Sequence, residues 1–116
     1  MFSVNLKLYF VIFNDIENIF QVYLDDSGNI PEIKLDRTGE IEENILAKTL
    51  DFFYGDNTSL LNGCKLSSVE KNKDKLSLVY NIYCYENLNC KTGKFVNFNK
   101  NSIELYRFAQ TRGYNG

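Results

Sequence analysis

Carboxylates gather where a helix is expected to begin, at Glu40, Glu42 and Glu43, with Lys48 and Asp51 further along the same stretch. Glu40 and Glu43 stand about one helical turn apart. Acids so spaced can share a hard divalent cation, and a lysine beyond them can meet a phosphate, so this set could handle a phosphorylated ligand together with aromatics from Tyr80 to Tyr85. Each residue also has a plainer reading. Glu40 is negative charge favoured by the helix dipole, and Lys48 is a solvated residue or the partner of Glu43 or Asn44 one turn earlier.

Other chemistries lack their parts. The chain has no histidine, so no Ser-His-Asp or Cys-His pair can form. Cys64, Cys84 and Cys90 form no CxxC, and three thiols cannot all pair within one chain. They read as reduced thiols, with Cys84 a small core residue inside an apolar run. The run Asn87 to Lys94 holds a glycine and lysines but lacks the paired glycines of a phosphate loop, and reads as a β-turn. No metal or other cofactor is expected.

The elements that would position these residues are mostly strands. Residues 2–13 alternate at Phe2, Val4, Leu6 and Leu8, then run continuously apolar, as a strand does when it becomes buried on both faces. Residues 19–24 form a second strand, and Asp25 to Asn29 a turn cluster in which Gly28 can take positive φ, marking an antiparallel hairpin. Residues 30–35 form a short third strand whose Pro31 favours an edge or a strand start. Ile41, Ile45, Leu46, Leu50 and Phe53 recur at helical intervals, predicting a helix over 41–54 with Gly55 as terminator. A loop over 56–63 leads to strands at 65–70 and 76–86, the latter apolar or aromatic on both sides and therefore central. A strand at 95–98 and a helix over 103–111, capped by Ser102, complete the chain.

A length of 116 residues, 44% of them hydrophobic, suffices for one packed core without metal or disulfide support. The net charge is −2, and thirteen basic residues are scattered among fifteen acids, so nucleic acid is not an expected partner. Lys7 interrupts the apolar N-terminus, no small-residue cleavage site follows it, and no run is long enough to span a membrane. The expected location is cytoplasmic, either host cytoplasm or virion if the protein is viral.

Strands, helix, strands, helix predict an α+β sandwich with a mixed sheet flanked by two helices. The segment Lys34 to Asp56, KLDRTGEIEENILAKTLDFFYGD, resembles the Nudix signature G-x5-E-x7-R-E-U-x-E-E-x-G-U, where U is a bulky aliphatic residue. With Glu40 on the first glutamate, Lys48 falls on the arginine, Leu50 on the first U and Gly55 on the last glycine, without a gap. Lys34 stands in place of the first glycine, Thr49 in place of the glutamate after the arginine, Phe52 and Phe53 in place of the paired glutamates, and Asp56 in place of the last U. In working Nudix enzymes those glutamates hold a divalent metal against a pyrophosphate, and phenyl rings offer no oxygen ligand.

The resemblance therefore implies a single Nudix-like domain over 1–116 that is not an enzyme and that binds protein or builds a larger assembly. Residues 112–116 would be a flexible or partner-held tail. Fifteen asparagines, with abundant Lys, Ile and Tyr, suit a low-GC genome such as many tailed phages have, which points to a virion component or homo-oligomer. Tyr106 and Tyr114 suit interface anchoring. The alternative it implies is a divergent nucleotide-binding protein or Nudix-type pyrophosphohydrolase that works through a non-standard site.

Overall fold

A computed structural model describes residues 3–14, 19–35, 40–84 and 88–98. The expected helix over 103–111, the tail at 112–116, Tyr85, Tyr106 and Tyr114 lie outside the described residues. Six strands, β1 (Ser3–Asn14), β2 (Ile19–Leu24), β3 (Glu32–Lys34), β4 (Cys64–Asn72), β5 (Lys75–Tyr83) and β6 (Lys94–Phe98), are joined by α1 (Ile41–Phe52) and a 3-10 helix at Thr58–Gly63. They form one sheet in the order β4-β5-β1-β2-β6, with β3 also on β1. The pairing of β1 with β5 is parallel and every other pairing is antiparallel, so the sheet is mixed and the class α+β, as the sequence predicts. No helix among the described residues is long and apolar enough to cross a membrane.

The continuous apolar stretch of β1 lies at the centre, and its side chains alternate between two cores. Leu6, Leu8, Phe10 and Ile12 pack with Tyr23, Ile82, Cys84 and Leu60 beneath Ile45 of α1 and Phe53 just beyond it. Tyr9 and Val11 face the other way and pack with Phe20, Val22 and Val79. Cys84 is buried, as its apolar setting suggests.

The turn after β2 differs from the sequence reading. Asp25 to Asn29 does not reverse the chain into a β2–β3 hairpin; the hairpin is β1–β2, and β3 returns to pair with β1 at Asn5 to Lys7. The turn closes on itself, because Asp25 accepts at Oδ1 from the backbone N–H of Ser27 (2.9 Å) and Asn29 (3.0 Å). Its own N–H donates to Asn29 O at 2.9 Å. A loop so knotted bulges out and hands the strand back in its former direction.

Glu32 ties the strands on either side of the start of β1. Its Oε1 accepts from Lys75 Nζ at 2.6 Å and from Asn5 Nδ2 at 3.2 Å. Hydrogen bonding from Lys75 holds its carboxyl below the usual carboxylate range against the opposing cost of burial, with Asn5 adding to the lowering. A carboxyl whose pKa is lower folded than unfolded stabilises above its unfolded pKa, and that stability is lost as pH falls through the folded value. Both side chains are partly exposed, at 43% for Lys75 and 33% for Glu32, so solvent screens the pair. Glu32→Gln is expected to cost no more than about 1 kcal/mol at neutral pH. The cost should shrink as pH falls below the ordinary glutamate range and through the lowered folded value, read from denaturant unfolding of both proteins across pH.

Candidate functional site

The core of the candidate site is α1. It begins at Glu40, whose extended backbone (φ −74°, ψ 152°) makes no side-chain cap. Instead Asn44 donates from Nδ2 to Glu40 O at 2.8 Å. Glu42 and Glu43 stand exposed in the first turn, where the helix dipole favours them. Ile45 and Thr49 are buried and Phe53 continues their spacing, so the stripe at every fourth residue faces the sheet. Leu50, apolar but off that stripe, is 45% exposed.

The helix ends earlier than 54 because Phe53 turns to extended backbone (φ −130°, ψ 147°) and bridges to Cys90. The segment from Asn89 to Lys91 then closes the helix end. Tyr54 N–H donates to Asn89 O at 2.9 Å, and Lys91 N–H to Phe52 O at 2.7 Å. Lys91 Nζ reaches Leu50 O at 2.8 Å, placing a cation where α1 has no basic residue of its own. Gly55 (φ +96°) is not the terminator but shapes the turn that follows.

The positions matched to the Nudix motif do not converge. Glu40 and Lys48 are separated by about 12 Å of helix rise. Lys48 pairs neither with Glu43 nor with Asn44; its Nζ lies 3.8 Å from Asp51 and 5.9 Å from the centre of the Phe52 ring. Thr49 is buried and donates from Oγ1 to Leu46 O at 2.6 Å. Phe53 is fully buried, its ring 5.1 Å from that of Phe10 and 4.9 Å from that of Tyr23. Phe52 is half-buried, 5.0 Å from Tyr23.

Of the expected β5 aromatics among the described residues, Tyr80 and not Tyr83 is placed beside α1. It shares the helix-facing side with Ile82, whereas Tyr83 packs into the opposite core. Burial raises the pKa of Tyr80, and Cys64 and Glu42 nearby raise it further. Its phenol therefore stays a neutral donor at physiological pH. The acid beside it is Glu42, which the sequence does not distinguish from Glu40 and Glu43. The alternation of β5 could have selected Tyr80, but no local signal places Cys64 and Glu42 around it. A concavity of about 540 Å³, with no signature in the sequence, opens on the other side of β1 and is lined by Lys7, Tyr9, Asp25, Asn29, Ile30 and Glu32.

A resident divalent cation does not fit what is described. No three or more Asp, Glu, Cys or His among the described residues gather to hold one, and the buried ring of Phe53 leaves no opening at its position.

Comparison with known proteins bears on the fold. No family model and no curated protein matches the chain. Among solved structures, a NUDIX domain of Shewanella oneidensis NrtR complexed with ADP ribose superposes with a TM-score of 0.62 at 12% identity, covering 97% of this chain and 88% of that one. The fold is Nudix-like. A MutT/nudix family protein from Enterococcus faecalis aligns with a TM-score of 0.61 at 13% identity over 84% of this chain, which spans only 44% of that protein's length. These likenesses correct the expectation that the chain is not an enzyme. The fold is the one on which MutT/Nudix proteins are built, one of them holding ADP ribose, and nothing among the described residues argues positively for inactivity.

Two substitutions that write glutamate into the motif positions should behave differently. Phe53→Glu removes a core ring and buries a carboxylate, and is expected to cost at least about 3 kcal/mol and to leave little folded protein. Phe52→Glu, at the half-exposed edge of the cluster, is expected to stay folded at a cost of about 1–2 kcal/mol. Urea denaturation followed by circular dichroism separates them, and equal losses would contradict this placement.

Proposed function

We propose that this chain binds a nucleoside diphosphate derivative of the ADP-ribose class, in the space between the first turns of α1 and the helix-facing side of β5. The observation that carries the reading is the likeness, over 97% of this chain, to a Nudix domain that holds ADP ribose. The local chemistry supports it. Tyr80 is a neutral donor beside Glu42, and Glu40, Glu42 and Glu43 are exposed acids at the same end of the helix. Magnesium commonly binds through one or two carboxylates plus the phosphates of a nucleotide rather than through an all-protein cage. The ligand is therefore taken as its magnesium complex, with the acids of the first turn meeting the ion that the phosphates carry.

Calorimetry and thermal shift with ADP ribose, ADP and other nucleoside diphosphate sugars, each with and without magnesium, test this. A ligand at one hundred times its Kd is expected to add about 2.7 kcal/mol to stability. Tyr80→Phe keeps the ring and removes the hydroxyl, and is expected to weaken binding about fivefold through one lost hydrogen bond. Lys7→Gln, in the concavity on the other side of the sheet, is expected to bind as the wild type does. Release of nucleoside monophosphate in the same samples measures turnover. Absence of heat and of thermal shift across the whole panel would reject the reading.

A further inference from the structure

The strand β4 ends the sheet, and no described strand pairs with its outer edge over nine residues. From Lys65 to Glu70 that edge can offer backbone N–H and C=O groups to another chain. It also carries apolar side chains in the open: Leu66 is 49% exposed and Val69 54%. Lys65 and Glu70, which flank them, are exposed as well.

A bulge in β4 makes this edge complementary to itself. Leu66 stands opposite Tyr80 on β5 and Ser68 opposite Val79, so Ser67 is the extra residue. In a regular strand residues three apart point to opposite faces. Here the bulge restores them to one face, because Leu66 pairs with Tyr80 and Val69 with Leu78, both on the helix-facing side. Lys65, opposite Asn81, and Glu70, opposite Ser77, share the other face by the same shift. The hexapeptide Lys65-Leu-Ser-Ser-Val-Glu70 is thus related to its own reverse: basic to acidic at the ends, apolar to apolar inside, serine to serine at the centre.

We propose that β4 pairs antiparallel with β4 of a second copy of this chain, about a two-fold axis between Ser67 and Ser68. In that register Leu66 meets Val69 of the second copy on one face, and Lys65 meets Glu70 of the second copy on the other. Each contact occurs twice, as an isologous interface requires. The six-stranded sheets join into one continuous sheet. The occupant is a second copy rather than an unrelated peptide because the charges and the apolar pair answer each other within one sequence. The small β6 edge, five residues long, has no such complement among its described neighbours.

Light scattering on size-exclusion fractions of the full chain, loaded from about 10 µM to about 1 mM, tests the pairing. The mass is expected to rise from 13.5 kDa to twice that value with concentration. Glu70→Lys sets lysine against lysine at both ends and is expected to weaken the dimer about tenfold. The exchange Lys65→Glu with Glu70→Lys restores opposite charges and is expected to restore the dimer. All these positions are exposed, and circular dichroism verifies that each variant is folded. A mass that stays at 13.5 kDa at the highest loading, a dimer indifferent to Glu70→Lys, or an exchange variant that fails to recover would each overturn the proposal. Species larger than a dimer would overturn it too, since the two-fold register closes on itself.

Discussion

Phe53 is the residue on which the site's arrangement depends. Its ring is fully buried, edge-on to Phe10 and Tyr23 and stacked on Phe95 at 5.8 Å with 18° between planes. Burial of one such side chain contributes roughly 1.5–3 kcal/mol, and each well-placed aromatic pair about 0.5–1.5 kcal/mol more. These contacts come from three strands, so they fix the rotation of α1 about its own axis. With Phe53 inward, Thr49 and Ile45 must also face inward. Glu43, Ala47 and Asp51 are turned to solvent as a consequence, whereas Glu42, on the stripe side at the open first turn, is exposed beside Tyr80. The acidic surface near Tyr80 is thus set by packing at the opposite end of the helix.

The same cluster explains why the segment from Asn89 to Gly93 matters although it carries little regular structure. Tyr23 sits under the helix with its hydroxyl donating to Thr92 O at 2.7 Å. Burial, with Cys90, Asp26 and Asp25 nearby, pushes its pKa far above the ordinary tyrosine value, so the donor is permanent. Asp26 accepts at Oδ1 from Thr92 Oγ1 and from Gly93 N–H, the latter at 3.0 Å. Gly93 has φ +72°, and a Cβ there would collide with Leu24 O and the Tyr23 hydroxyl. Only glycine allows that approach. One short segment therefore caps α1 through Lys91, holds the Tyr23 hydroxyl and delivers the chain into β6.

Local pattern makes the elements legible in the sequence, and non-local pairing hides their arrangement. The apolar run of β1, the alternation of β5 and the four-residue stripe of α1 each announce themselves within a dozen residues. The parallel pairing of β1 with β5 does not, because it joins segments some 70 residues apart with every other strand but β6 between them. Leu50 fits the apolar periodicity of α1 and is exposed, whereas Thr49, which looks polar, is buried with its hydroxyl bonded to the turn above. A threonine that satisfies itself on the helix backbone can be buried cheaply, and periodicity cannot see that. The helix end escapes the sequence for a related reason: the bridge of Phe53 to Cys90 is tertiary, and it overrides a local sequence still compatible with helix.

The two phenylalanines in the motif register are not equivalent, and the difference decides what a ligand can meet. Phe53 is sealed beneath the helix end, so whatever stood at that position in this packing would be shielded from any phosphate. Phe52 is only half-buried, with Lys48 over its ring on the solvent side. A ligand lying along α1 would therefore encounter, in order, the acids at the start of the helix, Lys48, and the outer edge of Phe52. Negative groups cluster at one end of that track and a cation lies about two turns away. A diphosphate carrying magnesium, as proposed above, would meet this polarity with its ion toward Glu40 and Glu42, while Lys48, 3.8 Å from Asp51, lies away from that end. The reverse orientation would set bare phosphate against three carboxylates, a repulsion that solvent screening reduces but does not remove at these distances. For the proposed ligand, the acids at the start of α1 would therefore set which end of the diphosphate carries the ion.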